Sequence, residues 1–319
     1  VAAAASERWP SPVRALTVRW QGADEAQAAA DTAHALKAVH AVLPSGPRVS
    51  MVPDDGELPV DAFALVWRSL AEAMKPHGTT VWTGLGTDFI FAGRSSYGRI
   101  LKRCGGGWLR SPSLWRGTRP SAAELRTALI RDMGRSEHRA WYAQDFLRGL
   151  RGYNGVQGCL SQVEAFDGEP LSALQHFDLT VTVPCGLMPM LEQVERVTGL
   201  RWRHPFFDTD TVSLMAAMPA HHRFDAGRRV ILDRAAGLIL PPNLIERPSR
   251  GLSPPVNHWL AHDLQAVVQT RLFGSRGSGL FDAKALRRAW YGLMLGRSQW
   301  APSLIRVAAL EGWAQRVLS

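Results

Sequence analysis

The first hundred residues alternate between β-forming and helix-forming runs, and this alternation restricts the fold more than any other feature of the chain. The β-forming runs cover 14–20, 38–43 and 79–82, and helix-forming runs at 24–37 and 61–74 lie between them. Strands that alternate with helices across ordinary connections form βαβ units with parallel strands. The pattern therefore predicts an α/β fold built on a doubly wound parallel sheet of Rossmann-like type.

Beyond Gly93 the chain consists of helix-forming segments separated by glycine, serine and proline turns. The predicted helices are 121–132, 136–150, 187–198, 209–218, 226–238, 256–272, 282–294 and 302–318. We find no β-forming run of comparable quality here, and therefore expect a largely α-helical C-terminal half. We divide the chain into a domain at 1–265, with its sheet core over about 1–100 and a helical part over about 100–265, and a helical extension at 266–319.

The third β-forming run leads into two glycines, Gly84 and Gly86, and a single acid, Asp88. Parallel sheets bind ligands beyond the carboxyl ends of their strands, where the backbone N–H groups of the following turn suit phosphates. A carboxylate at such a place is a typical ligand of the Mg²⁺ that phosphates carry. The residues alone leave two interpretations open, which are an ordinary tight turn and a nucleotide site that contains Asp88.

The amino-acid composition indicates which binding partners and which cellular compartment to expect for this chain. The net charge of +9 comes almost wholly from arginine and favours anionic partners such as nucleotides or acidic peptides. The arginines are spread along the chain and form no basic tail, which argues against nucleic acid. We expect no membrane span, because no apolar run approaches roughly 20 residues. The three cysteines lack metal-ligand spacing, so we expect a reducing, cytoplasmic location.

Three stretches in the same chain order carry a resemblance to a known family. They are Ala15-Leu16-Thr17-Val18-Arg19-Trp20, then Gly84-Leu85-Gly86-Thr87-Asp88-Phe89-Ile90-Phe91-Ala92-Gly93, and then Arg203-His204-Pro205-Phe206-Phe207-Asp208 with Leu232-Asp233-Arg234-Ala235 and Arg247-Pro248-Ser249-Arg250-Gly251 after it. Over about residues 1–265 the chain resembles the synthetase domain of the asparagine synthetase family, a PP-loop ATP pyrophosphatase domain. The resemblance implies an adenine nucleotide α-hydrolase-like fold.

The resemblance also implies an ATP-dependent, amide-forming ligase. In this family a carboxylate attacks the α-phosphate of ATP, which gives an acyl-adenylate and pyrophosphate. An amine, often ammonia from an amino-terminal glutaminase domain, then forms the amide. The residues that the resemblance assigns by position to ATP are Val18, Thr83, Gly84, Leu85, Gly86 and Asp88. Within this set the Val18 backbone would contact adenine, and Asp88 would hold Mg²⁺.

Two substitutions separate the chain from asparagine synthetases at catalytic positions. Leu85 stands where those enzymes have a glutamate between two glycines, and Ser249 stands where the family usually has its transition-state lysine. Arg250 follows directly, and its longer, bidentate side chain can supply positive charge at the leaving group. We therefore assign catalysis to Asp88, Ser249 and Arg250, with a solvated loop position as the other interpretation of Arg250.

Two parts of the family's architecture are missing from the sequence, namely the phosphate loop Ser-Gly-Gly-x-Asp-Ser and the glutaminase domain. The chain begins as if directly after that loop. We therefore expect the natural protein to extend upstream and the 319-residue polypeptide alone to be catalytically incomplete. An upstream glutaminase-like domain and a precursor peptide are the candidate partners.

The missing acid at position 85 favours a carboxylate substrate other than free aspartate, because that acid is the natural partner of incoming ammonium. The chain resembles the ring-closing branch of the family, namely lasso-peptide cyclases and, less closely, β-lactam synthetases. In a lasso cyclase an Asp or Glu side chain of a peptide is adenylated, and the peptide's own amino terminus is the amine donor. The alternatives are a glutamine-hydrolysing asparagine synthetase, another amide ligase, and a catalytically incomplete fragment or peptide-binding scaffold.

Overall fold

A computed structural model describes most of the chain. The described residues are 1–19, 25–44, 64–103, 121–133, 140–153, 155–164, 169–224, 229–245, 255–274, 277–297 and 300–318. Helices dominate these residues, and the strands among them are short and parallel. The predicted mixed α/β character and the largely helical C-terminal half are confirmed.

The strands form two separate parallel pairs. Their bounds are β1 (Arg14–Arg19), β2 (Val39–Pro44), β3 (Thr80–Trp82) and β4 (Arg201–Arg203). β1 pairs with β2 along its whole length, and β3 pairs with β4. The three predicted strands are confirmed to within one or two residues at each end. The predicted doubly wound sheet is not seen among the described residues, because β3 pairs there with β4 and not with β1.

β4 shows that the expectation of no strand after residue 100 was wrong. This strand has three residues, and its central Trp202 is buried while the two flanking arginines are exposed. The Trp202 ring packs edge-on against Trp67, with 5.2 Å between ring centroids. Two charged residues in a run of three give no local β signal, so tertiary packing determines this strand.

Helices make up most of the described chain. Their bounds are α1 (Ala2–Arg8), α2 (Ala26–Ala35), α3 (Ala64–Met74), α4 (Thr87–Ile90), α5 (Ser95–Arg103), α6 (Ala122–Met133), α7 (Gln144–Gly149), α8 (Gly155–Glu164), α9 (Pro170–Phe177), α10 (Met188–Thr198), α11 (Thr209–Ala217), α12 (Ala220–Arg223), α13 (Val230–Ala236), α14 (Pro242–Ile245), α15 (Val256–Ala261), α16 (Gln265–Phe273), α17 (Ala283–Met294) and α18 (Ala301–Val317). The helix predicted at 256–272 is divided into α15 and α16. The helices that were not predicted are α4, α5, α8, α9, α12 and α14. Within the described ranges, no helix combines the length and the apolar character that crossing a membrane requires.

One long helical stretch leads to β4. It begins as α9, is wound as a π-helix over Asp178–Leu187, and continues as α10. Pro184 lies inside the π-helical part, where its missing N–H and its ring disfavour α-helical hydrogen bonding. Gly199 ends the stretch at φ 71°, a left-handed conformation that glycine adopts at helix ends without steric cost. This turn directs the chain into β4.

A large apolar cluster, the principal core, joins distant parts of the chain. It contains buried side chains of α3, α10, β4 and α15 to α18, and half-buried Val18 of β1 and Val81 of β3 pack against it. A second cluster lies between α5, α6, α8, α9 and α12. The helices after residue 265 therefore share a core with α3, while the domain boundary at 265 stays a prediction.

The contribution of α18 to the principal core is testable. Leu304 in α18 is fully buried, whereas Leu295 after α17 is 83% exposed. Leu304→Ala is expected to lower the free energy of unfolding by about 2–5 kcal/mol, because the substitution leaves a cavity. The matched control Leu295→Ala is expected to change it by less than about 0.5 kcal/mol. Urea unfolding monitored by tryptophan fluorescence measures both, and equal losses would contradict this placement of α18.

Candidate functional site

The carboxyl ends of β3 and β4 lie side by side, because the strands are parallel. The Thr83 N–H donates to the Arg203 carbonyl at 3.0 Å, which extends the pairing one residue beyond β3. The Thr83 hydroxyl then lies 2.8 Å from Nδ1 of His204. In α/β folds, ligands bind at this edge of the sheet. The two chain segments that leave the edge are therefore held together by a side-chain hydrogen bond.

The environment of His204 favours a neutral ring. Burial lowers its pKa, the negative charge of Glu195 opposes this to a smaller extent, and Arg203 lowers the pKa further. A neutral imidazole can accept the proton of the Thr83 hydroxyl at Nδ1. The hydroxyl oxygen also accepts a hydrogen bond from the Leu85 N–H at 3.2 Å. Thr83 thus connects His204 to the backbone of the glycine turn.

The turn after β3 requires glycine at one of its two glycine positions. Gly86 has φ 102°, and a Cβ built there would lie 3.1 Å from the Phe207 ring. Gly84 has open space around the equivalent position. Between them, Leu85 is half-buried and packs against the principal core. The turn therefore combines a closely packed glycine in a positive-φ conformation with an apolar anchor.

Asp88 lies in the first turn of α4, and 58% of its side chain is exposed. Its Oδ1 is 3.5 Å from Nη1 of Arg229. A Cβ at Gly93 would lie 2.7 Å from Asp88 Oδ1 and 2.8 Å from Arg229 Cγ. Gly93 therefore allows an acid and a base from distant parts of the chain to meet beside the glycine turn.

A buried carboxylate holds the start of α5, just after this segment. Asp178 accepts hydrogen bonds from Arg94 Nη1 at 2.5 Å and from the Tyr97 hydroxyl at 2.6 Å. Burial raises the pKa of Tyr97 well above its usual value, and the charge of Asp178 raises it further. The Arg94 guanidinium also lies 5.1 Å from the centroid of the Phe89 ring. The chain on the carboxyl side of Asp88 is thus fixed to the π-helix.

Five of the predicted site residues are neighbours in sequence and lie in one turn, and their assignment to a site stays a prediction. The glycine turn and the start of α4 contain Thr83, Gly84, Leu85, Gly86 and Asp88. Val18 lies in the other strand pair, opposite Leu43 of β2. Ser249 and Arg250 fall outside the described residues, so their catalytic assignment stays a prediction.

Sequence reasoning missed three polar residues around this turn. His204 follows β4 directly and lies in one of the motif stretches, which is the signal that could have identified it. Arg229 and Asp178 lie far from Asp88 in sequence and have no distinctive spacing. Only tertiary contacts reveal these two residues.

The described residues can be tested for their fit to a magnesium-bound nucleotide. They contain no cluster of three or more His, Cys, Asp or Glu side chains that could hold a metal without other ligands. Magnesium that binds with a nucleotide needs only one or two carboxylates, because phosphates and water complete its coordination. An exposed carboxylate beside a glycine turn at the carboxyl end of a parallel strand fits this requirement. Asp88 is such a carboxylate.

This combination of a mixed α/β fold with a polar turn beyond a parallel strand is the setting of a ligand-binding α/β protein. The asparagine synthase family model matches residues 1–315, and the chain belongs to that family. The resemblance that the motifs indicated is thereby confirmed. Membership of this family supports a ligase-type enzyme.

The chain is also similar to curated proteins of two mycobacteria. Proteins named "Putative asparagine synthetase (glutamine-hydrolyzing)" from Mycobacterium bovis and Mycobacterium tuberculosis are 25% identical to it over 127 residues. The aligned region is 39% of this chain and 20% of each relative. The chain therefore spans about a fifth of the length of these relatives.

The positive φ of Gly86 gives a prediction with an internal control. Gly86→Ala is expected to lower the free energy of unfolding by about 1–3 kcal/mol, because alanine disfavours φ 102° and its Cβ meets the Phe207 ring. Gly84→Ala, two residues away, enters open space and is expected to have a much smaller effect. Chemical denaturation of both variants measures the difference. Equal stabilities would rule out this conformation of the turn.

The lowered pKa of His204 predicts a pH dependence of stability. Between the pKa of the folded state and the ordinary value of 6.5, the unfolded chain binds more protons at this residue than the folded protein does. The stabilisation by the neutral ring is therefore complete above pH 6.5 and decreases as the pH falls through the pKa of the folded state. Urea unfolding at pH 7.5 and pH 5.5 should show a larger loss for the wild type than for His204→Gln. The same loss in both proteins would contradict the burial of the ring.

Proposed function

We propose that the protein is an ATP-dependent carbon–nitrogen ligase that activates a carboxylate as an acyl-adenylate, releases pyrophosphate and transfers the acyl group to an amine. The observation that carries this proposal is the position of Asp88, which is exposed beside the glycine turn at the carboxyl end of β3. Membership of the asparagine synthase family supports the reaction type. Use of ATP is consistent with the cytoplasmic location expected from the sequence.

The same proposal includes a doubly wound sheet formed from the two strand pairs. Both pairs are parallel, and α3 connects β2 to β3 and contacts both β1 and β2. Val18 of β1 and Val81 of β3 pack against the same principal core. These contacts support a common layer in which Val18 and the glycine turn belong to one nucleotide site.

The roles of the individual residues follow from this placement. The backbone of Val18 and the turn at 83–86 would contact the nucleotide, and Asp88 would hold the Mg²⁺ that the phosphates carry. When bound, the ion neutralises phosphate charge during attack by the carboxylate. Thr83 and His204 keep the ends of β3 and β4 together, and thereby keep the turn in position. Ser249 and Arg250 are proposed at the leaving pyrophosphate.

The environment of Leu85 supports a peptide cyclisation in preference to the use of ammonia. Its side chain packs against the principal core, where a carboxylate would lose hydration without gaining a partner. This chain therefore has no acid at position 85 that could bind incoming ammonium. A peptide whose own amino terminus attacks its activated Asp or Glu side chain needs no such acid, and the net charge of +9 suits an acidic peptide.

A second candidate is a glutamine-hydrolysing asparagine synthetase, which is what the names of the mycobacterial relatives state for those proteins. A catalytically incomplete fragment or a peptide-binding scaffold is the third. The three candidates differ in which substrates cause pyrophosphate release, and this measurement separates them.

Pyrophosphate release by the product of the complete reading frame tests the proposal. Asp88→Asn is expected to lower the rate by about 100-fold or more, because the variant loses the charge that stabilises the metal-bound phosphates. Asp145→Asn is the matched control, since this acid is exposed on α7 and paired with Arg148. It is expected to retain the wild-type rate. An undiminished rate in Asp88→Asn would remove the basis of the proposal.

The same assay distinguishes the substrates. A peptide cyclase should release pyrophosphate with a peptide that contains Asp or Glu, and the product should be the peptide minus one water by mass spectrometry. An asparagine synthetase should instead require aspartate with glutamine or ammonia and should yield asparagine. ATP binding without pyrophosphate release under either condition would favour the scaffold.

A further inference from the structure

Gln175 is a buried polar residue that binds the helix carrying Asp88. It lies in α9 with 4% of its surface exposed. Its Nε2 donates to the carbonyl oxygens of Phe89 at 2.8 Å and Ile90 at 2.9 Å. A four-residue helix such as α4 leaves its last carbonyls without partners within the helix and is not stable in isolation. Gln175 supplies the hydrogen bonds that this end of α4 lacks.

Arg223 determines which end of the Gln175 amide faces α4. The Arg223 guanidinium is buried, with 3% exposure, and its Nη1 donates to Gln175 Oε1. Its Nη2 donates to the Ser172 hydroxyl at 2.6 Å. A guanidinium is a donor only, so the amide oxygen must face Arg223 and the NH₂ group must face α4. The opposite orientation would set oxygen against carbonyl oxygens and NH₂ against the guanidinium.

Arg223 lies six residues before Arg229, which is the ion-pair partner of Asp88. Arg223 ends α12, and the chain then leads to Arg229, whose Nη1 is 3.5 Å from Asp88 Oδ1. The start of α12 is held in turn by Glu169, whose Oε2 accepts a hydrogen bond from the Ala220 N–H at 2.8 Å. The Gln175–Arg223 pair therefore connects α4, which carries Asp88, to the end of α12.

The burial of a charge here indicates that the arrangement is specific. Burial lowers the pKa of Arg223, and the negative charge of Glu169 opposes that effect. A buried charge is costly unless it is paired and hydrogen-bonded, and an apolar side chain at either position would fill the space more simply. Here both Nη atoms of Arg223 donate hydrogen bonds, while its buried Nε has no hydrogen-bond partner among the described residues.

We propose that Gln175 and Arg223 are positioning residues for Asp88, which hold α4 against α9 so that the carboxylate is in place to receive a nucleotide-bound divalent cation. This inference rests on the proposed function, because it assigns the pair a purpose at the same site. Neither residue is among those assigned to the nucleotide, the metal or the leaving group.

Gln175→Met tests this role, because methionine has a similar size but no amide. The probe is Mn²⁺ added together with α,β-methylene-ATP to the product of the complete reading frame. Electron paramagnetic resonance measures the bound Mn²⁺ and so gives its Kd. The Kd for Mn²⁺ is expected to rise about tenfold or more, the usual effect of losing a group that orients a metal ligand. Amide hydrogen exchange at 89–93 should become faster in the same variant.

Gln315→Met is the matched control. It makes the same chemical change in α18, where the Gln315 amide donates to Glu311 Oε1 at 3.0 Å and to the Arg271 carbonyl at 3.5 Å. The control should keep the wild-type Kd for Mn²⁺. Arg223→Met should weaken Mn²⁺ binding as Gln175→Met does, and the double variant should be no weaker than the more affected single variant, because the two residues act as a unit.

The outcomes separate this inference from the proposed function. A folded Gln175→Met that binds Mn²⁺ as tightly as the wild type overturns the positioning role, while the ligase proposal stands. Unchanged Mn²⁺ affinity in Asp88→Asn overturns both. If Gln175→Met does not fold, Gln175→Glu gives a second test, because it keeps an oxygen for Arg223 and replaces the donors to α4 with a charged acceptor. Wild-type affinity in that variant likewise overturns the inference.

Discussion

The pairing of β3 with β4 is the constraint on which the candidate site depends. It brings Thr83 against His204, which are 121 residues apart in the chain, and it does so through three residue pairs and one side-chain hydrogen bond. So short a ladder is stabilised mainly by what packs against it, and the edge-on contact between Trp67 and Trp202 provides that packing. The glycine turn, α4 and the His204 segment all take their positions from this edge.

The strands and the glycine turn could be predicted because their signals are local. β1, β2 and β3 are short β-forming runs bounded by helix and turn signals, and the glycine turn follows one of them directly. β4 could not be predicted, since two of its three residues are exposed arginines and only the central Trp202 is buried. The order of three motifs was enough to identify the family, because each motif is a contiguous stretch.

The polar residues around the site could not be predicted from the sequence for a related reason. Gln175, Asp178 and Arg223 are buried side chains on helices, and each has a partner about 50 to 90 positions away in sequence. Nothing in a local window distinguishes such a residue from a solvated one. Arginine is the clearest example, because the excess charge that suggested an anionic partner includes Arg94 and Arg223, which bind other parts of the same fold. Composition therefore overestimates how much positive charge is available to ligands.

The contact between Asp88 and Arg229 has a kinetic consequence. At 3.5 Å, with the acid more than half exposed, it is worth at most about 1 kcal/mol and is weakened by salt. An arriving ion can therefore compete for the carboxylate directly from solvent, without any opening of the packed helices around it. Access to the carboxylate from solvent therefore depends on ionic strength, whereas the helix that carries it is held from the buried side by the hydrogen bonds of Gln175.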